Sequence, residues 1–322
     1  MPRLSPERIQ LSPERIQQAA RTIDPVFLGS PQLGFGPLSR AVGAELVVKV
    51  ETLNPIRSFK GRGTEFFVAT LEDDAPLVAA SAGNFGQGLA RAAVRRGRSL
   101  TMFAAESANP LKVARMRELG AEVRLAGHDF DAAKGAARDF ASSQGLRFVE
   151  DGREPAISEG AGTIALELAR WPEPFDAVLV PLGNGALING IGTWMKAASP
   201  STRIIGVCAE NAPSMEISWR TGTLHTTPSA NTIADGIAVR LPVAEALEDM
   251  RHTTDDIVCV SEANIRDAMR LVLLHAGLIV EPAGVAGVAA LLAYPARFAG
   301  MRIATPLCGS NIAPEEPEAA LN

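Results

Sequence analysis

Lys60 lies in the segment Asn54-Pro55-Ile56-Arg57-Ser58-Phe59-Lys60-Gly61-Arg62-Gly63, behind a proline-containing turn and beside an aromatic ring. Burial and the positive end of a helix both disfavour an ammonium, so a lysine opening a helix here becomes a better nucleophile. Taken alone, a lysine in a turn is more often a plain surface residue. The segment Ser81-Ala82-Gly83-Asn84-Phe85-Gly86-Gln87-Gly88 follows an apolar run and leads into a helical pattern. Its small residues let backbone approach a ligand, and free N–H groups at a helix start bind an anion. Glycines that merely pack a helix on a strand would look the same. Pro181-Leu182-Gly183-Asn184-Gly185-Ala186-Leu187 repeats the strand, loop and helix arrangement and suits a phosphate. It lacks the Lys-Ser/Thr of a P-loop and the G-x-G-x-x-G spacing, which fits a tightly held phosphorylated cofactor better than phosphoryl transfer. Leu307-Cys308-Gly309-Ser310-Asn311 completes the series with small polar groups that could face a ring nitrogen.

The elements that must position these loops are legible in the periodicity. β-rich apolar runs fall at 46–50, 77–80, 100–104, 122–125, 177–181, 203–208, 257–260 and 303–307. Helical patterns occupy 86–96, 110–119, 129–144 and 157–169, with an earlier helix capped by Ser12-Pro13 and running to about residue 23. Alternation of this kind predicts an α/β fold with parallel sheets and helices on both faces. Ligands in such folds collect beyond the carboxyl ends of strands, where all four loops fall.

Composition narrows the function classes. The chain has 322 residues, 47% hydrophobic and 21% charged, enough for about two domains or one large domain with a lobe. Its net charge of −5 offers nucleic acid and anionic membrane no attraction, so small metabolites are the expected partners. Cys208, Cys259 and Cys308 form no C-x-x-C pair and no disulfide framework, and a reducing cytoplasm is the expected setting. The first twenty residues lack the apolar stretch of a signal peptide. The run 271–294 is broken by His275, Glu281 and Pro282, and predicts buried helices rather than a membrane span. Leu-Ser-Pro-Glu-Arg-Ile-Gln occurs at 4–10 and again at 11–17, too short for a structural repeat and read as a duplication or an artefact.

In order and spacing the four loops resemble the fold type II pyridoxal 5'-phosphate enzymes, the serine/threonine dehydratase branch above all, which is related to serine racemase. That branch carries S-F-K-x-R-G, S-x-G-N-H-x-Q-G, a glycine-rich phosphate loop and a terminal S-G-G-N. The resemblance extends from about residue 16 to 312 and takes in Thr232-Ile233-Ala234-Asp235-Gly236 and Val280-Glu281-Pro282-Ala283-Gly284. It implies a tryptophan synthase β-like fold of two parallel-sheet, three-layer domains. The larger domain would comprise 1–74 and 153–322, and 75–152 would form a smaller substrate-side lobe. It implies that Lys60 carries pyridoxal phosphate as a Schiff base and is the acid/base at the substrate Cα. Phe59 and Asn84 would border the cofactor, Gly183, Asn184, Gly185, Ala186 and Leu187 would bind its phosphate, and Cys308 would face its ring nitrogen. Ser81, Ala82, Gly83 and Asn84 would hold the substrate carboxylate, and Glu281 would lie near the ring. The implied activity is an ammonia-lyase reaction on a small β-hydroxy amino acid such as L-threonine or L-serine. The expected assembly is a homodimer. Other fold type II reactions, and a non-catalytic amino-acid binding protein, remain alternatives. The chain ends soon after Cys308, so an appended regulatory domain is not expected.

Departures from the pattern sharpen this. Ala82 stands where serine racemases have a second serine, so elimination without appreciable racemisation is expected. Phe85 replaces a histidine, as packing or as an apolar wall for the pocket. Cys308 replaces serine, and a thiol is a weak donor and acceptor; a one-residue shift would put Ser310 there instead. Glu210, Ser214 and Glu216 have spacings like the racemase's cation ligands, but a solvated helix start is the preferred reading and no metal is expected. His128, His225, His252 and His275 show no ligand spacing.

Overall fold

A computed structural model describes residues 10–312, so the first copy of the repeated heptapeptide lies, apart from Gln10, outside the described residues. Among the described residues there are ten strands: β1 (Gln32–Gly34), β2 (Glu45–Val50), β3 (Leu77–Ala80), β4 (Leu100–Ala104), β5 (Glu122–Leu125), β6 (Arg147–Val149), β7 (Ala177–Pro181), β8 (Arg203–Ala209), β9 (Asp256–Val260) and β10 (Arg302–Leu307). They form a six-stranded sheet of order β1-β2-β10-β7-β8-β9 and a four-stranded sheet of order β5-β4-β3-β6. Every pairing is parallel except β1 with β2. Central strands of parallel sheets are covered on both faces and read as continuous apolar runs. Accordingly β3 and β7 are buried at every position.

β1 and β6 were not expected from the sequence. Each is only three residues long, too short to carry a period, and pairing with a longer neighbour creates it. The helix expected from residue 86 begins at Asn84, because the Ser81 hydroxyl accepts from Gly83 N–H at 3.1 Å and Gly86 N–H at 3.2 Å. The run 271–294 divides as expected into helices: Glu262–Ala276 ends at Gly277 in the left-handed conformation, and Ala286–Ala293 follows a short 3-10 turn at Pro282–Val285.

The helix Lys60–Ala69 links the two sheets, packing against both Asn84–Arg95 and Pro155–Leu168. Its first turn is anchored by fully buried Arg62. That guanidinium donates to Glu51 at 2.8 Å and to Glu167 at 2.7 Å, with Thr163 at 3.0 Å. Lys49 pairs with Glu167 from the other side at 2.5 Å. Burial works to raise the Glu167 carboxyl, but the hydrogen bonds and charge of Arg62, with Lys49, outweigh it and hold the group at about 2.

Candidate active site

The Asn54 side chain builds the turn that presents Lys60. Its carbonyl oxygen accepts from Ile56 N–H and Ser58 N–H, both at 3.2 Å, and its amide donates to Ser58 O at 3.1 Å. Arg57 within this turn has φ 51°, the one non-glycine residue with positive φ among the described residues. The turn is then stitched to the chain leaving β10. Phe59 N–H donates to Cys308 O at 3.0 Å, and Ser310 N–H to Arg57 O at 2.9 Å. Lys60 thereby opens its helix with Nζ held at 4.8 Å from the Phe59 ring centroid and 2.5 Å from Asp151 Oδ2.

Four strands of the two sheets point their carboxyl ends at this lysine. After β3 come Ser81 to Phe85, after β6 Asp151, after β7 Gly183 to Leu187, and after β10 Cys308. Together with Phe59 and Lys60 they line a cavity of about 790 Å³, ample for a small ligand. All of the residues singled out from the sequence for cofactor or substrate contact line this one cavity.

The loop after β7 has the shape of an anion cradle. Gly185 caps the helix Ala186–Ala198 with φ 93° and no side-chain hydrogen bond, so the first-turn N–H groups are left for a ligand. A Cβ on Gly183 would stand 2.9 Å from Gly236 O, so only a glycine leaves this backbone undisturbed. The donors are neutral backbone groups, which suffice to hold an anion at a helix start. These residues fit a phosphorylated cofactor.

Asn84 and Asn311 tie the second and fourth loops together. Asn84 Nδ2 donates to Glu281 Oε1 at 2.7 Å, and Asn311 Nδ2 to Asn84 Oδ1 at 2.7 Å. Asn84 therefore keeps one amide hydrogen for a ligand. Glu281 is fully buried in this knot; burial, then the charge of Asp235, push its carboxyl up to about 7 against the hydrogen bond from Asn84. Burial likewise pushes the Cys308 thiol well above its usual range, and its Sγ contacts Pro306 O at 3.6 Å. The cavity wall contains Cys308 and not Ser310 among the described residues. Phe85 serves both expectations, buried in the core around the smaller sheet and present in the wall.

Ser214 donates to Val239 O at 2.6 Å and Glu216 pairs with Arg220, so both side chains already have partners. Among the described residues no group of three or more His, Cys, Asp or Glu side chains could hold a metal. The acid beside Lys60 was not anticipated: Asp151 is 91 residues distant and belongs to no motif. The available signal was its place, two residues beyond the end of a parallel strand.

A family described as pyridoxal-phosphate dependent enzymes matches residues 25–309. The chain belongs to this family. Its cofactor is pyridoxal phosphate. An L-threonine ammonia-lyase of Thermotoga maritima is 36% identical over 298 residues, 92% of this chain and 74% of that protein. One of Geobacter sulfurreducens is 38% identical over 257 residues, 79% of this chain and 64% of its own. The crystal structure of a T.th. threonine deaminase superposes with a TM-score of 0.88 at 32% identity, covering 94% of this chain and 99% of that one. The fold is thus that of the type II pyridoxal phosphate enzymes. No helix among the described residues is long and apolar enough to cross a membrane.

Proposed function

We propose that the chain is an ammonia-lyase that converts L-threonine or L-serine to a 2-oxo acid and ammonium. The observation that carries this reading is the placement of Lys60 Nζ inside a cavity that also contains the anion cradle after β7. The ammonia-lyase relatives, similar over most of this chain, support the choice of reaction.

In this reading Lys60 holds the cofactor's aldehyde carbon, Gly183 to Leu187 its phosphate, and Phe59, Asn84 and Cys308 border its ring. Pyridoxal phosphate supplies the electron sink that lets the Cα–H bond break. The neutral Cys308 thiol offers a ring nitrogen only a weak hydrogen bond, which suits rapid β-elimination better than a long-lived carbanion. The substrate carboxylate meets the helix start at Asn84, where the Ser81 hydroxyl, already accepting from Gly83 and Gly86 N–H, keeps its own hydrogen to donate beside the N–H groups of Asn84 and Phe85. Lys60 Nζ would take the α-proton, the β-hydroxyl would gain a proton and leave as water, and the enamine so formed would take up water to give the 2-oxo acid and ammonium. Residues 75–152 act as a lobe over the substrate, and a cytoplasmic homodimer is the proposed setting.

A panel of amino acids followed for 2-oxo acid and ammonium, with wild type and Lys60→Ala, tests the reading. Wild type should release both products from threonine or serine, and the variant neither. Covalently held cofactor in Lys60→Ala would overturn the assignment of the lysine.

A further inference from the structure

The acids of the cavity differ in what they already hold. Glu150 is taken by Lys134 and by Arg138 at 2.7 Å, and Asp131 by Arg240 at 2.6 Å. Asp235 pairs with Lys112, and Asp129 accepts Ala132 N–H at 2.8 Å as a helix cap. Asp151 is the exception. It is 9% exposed, its Oδ2 meets Lys60 Nζ at 2.5 Å, and its Oδ1 is buried without a hydrogen-bond partner. In this family the lysine nitrogen is engaged by the cofactor and ceases to be a freely placed ammonium. Asp151 then becomes a buried carboxylate in want of a donor, a costly arrangement unless a ligand supplies one.

Its position says which part of a ligand that is. Lys60 Nζ must reach the substrate Cα to move its proton, and Asp151 Oδ2, 2.5 Å from that nitrogen, lies within the range of the same side chain, close enough for a substituent on Cβ to meet it. The chain after Asp151 runs close to the cradle: Gly152 has φ 84°, and a Cβ there would stand 2.3 Å from Asn184 O. The backbone next to Asp151 therefore packs directly on the cradle loop.

We propose that Asp151 reads the substituent on the substrate Cβ, accepting a hydrogen bond from it and selecting by charge. Ammonium is preferred to hydroxyl, hydroxyl to hydrogen, and carboxylate is repelled. A carboxylate gains most from a cationic donor, less from a neutral one, and loses against another anion. The inference rests on the amino-acid reading of the site and names the class of substrate it takes.

The test is a titration of the cofactor absorbance of the holoenzyme with L-2,3-diaminopropionate, L-serine, L-alanine and L-aspartate, which needs no turnover. Wild type should bind them in that order of weakening affinity, with roughly tenfold or more between the first and third. In Asp151→Asn and Asp151→Ser, each confirmed to hold cofactor, the order should collapse to within about threefold. Retention of the wild-type order in either variant overturns the proposal. So does an equal weakening for all four ligands, which would mark a residue that only orients Lys60. If wild type shows the order but releases no 2-oxo acid from any of the four or from threonine, the lyase reading fails while this inference stands.

Discussion

Asn84 and Glu281, 197 residues apart in sequence, share a part-buried hydrogen bond of 2.7 Å from amide to carboxyl at the edge of the cavity. The same carboxyl accepts from Asn311 N–H at 3.2 Å. Both contacts favour the ionised form, yet burial dominates and pushes the group up to about 7.

A carboxyl whose folded pKa lies above its unfolded value binds more protons in the native state over the interval between them. Stability is then undiminished below about 4.5, falls as pH rises, and stops falling above about 7. A shift of that size corresponds to roughly 3 kcal/mol. Urea unfolding of wild type and Glu281→Gln at pH 4.5 and pH 8 should show the difference between the two proteins moving in favour of the variant at the higher pH. A constant difference would contradict the proposed ionisation.

The cradle after β7 makes a separate prediction. Gly183→Ala places a methyl 2.9 Å from Gly236 O, and the backbone on one side must give way. Strain of that kind costs about 1–3 kcal/mol, and here it falls on the proposed phosphate contact. Cofactor should dissociate from the variant at roughly tenfold to hundredfold higher concentration, read from absorbance after dialysis. Wild-type cofactor affinity in the Gly183→Ala protein would mean that the phosphate lies elsewhere.

Arg62 shows how the lysine is kept in place. It neutralises Glu51 and Glu167 with no exposed surface of its own. Arg62→Met would leave two buried carboxylates with Lys49 as the remaining cation of this cluster, a loss of about 3–5 kcal/mol. Thermal unfolding should report a correspondingly lower midpoint. Restoration of stability by Glu51→Gln in the same chain would show that the uncompensated charge is the cause.

Much of this site was legible because its loops follow strands whose apolar runs are continuous. β3, β7 and β10 announce themselves, and the glycine-bearing segments after them fall where ligands collect. β6 is Arg-Phe-Val, three residues that become a strand only by pairing with β3, so the loop beyond it carried no flag. Asp151 was hidden for that reason. The knot of Asn84, Glu281 and Asn311 was hidden for another: side-chain hydrogen bonds between distant segments leave no periodic trace. Lys60 alone was indistinguishable from a surface lysine; its partners lie on strands far along the chain.

Ala82 carries the last prediction. It lines the cavity next to Ser81, at the position where the resemblance to serine racemases places a hydroxyl on the face opposite the lysine. A methyl group cannot exchange a proton, and Asp151 stands 2.5 Å from Lys60 Nζ, so the acid sits with the lysine. Reprotonation of Cα from the other face then has no positioned donor at residue 82. A positioned acid or base contributes typically 10²–10⁴-fold, so D-serine should form from L-serine at least roughly a hundredfold more slowly than pyruvate. Chiral chromatography of the reaction mixture measures both. Ala82→Ser should raise D-serine formation while leaving cofactor absorbance intact. Racemisation by the wild type at a rate near that of deamination would show that a group other than residue 82 serves the second face.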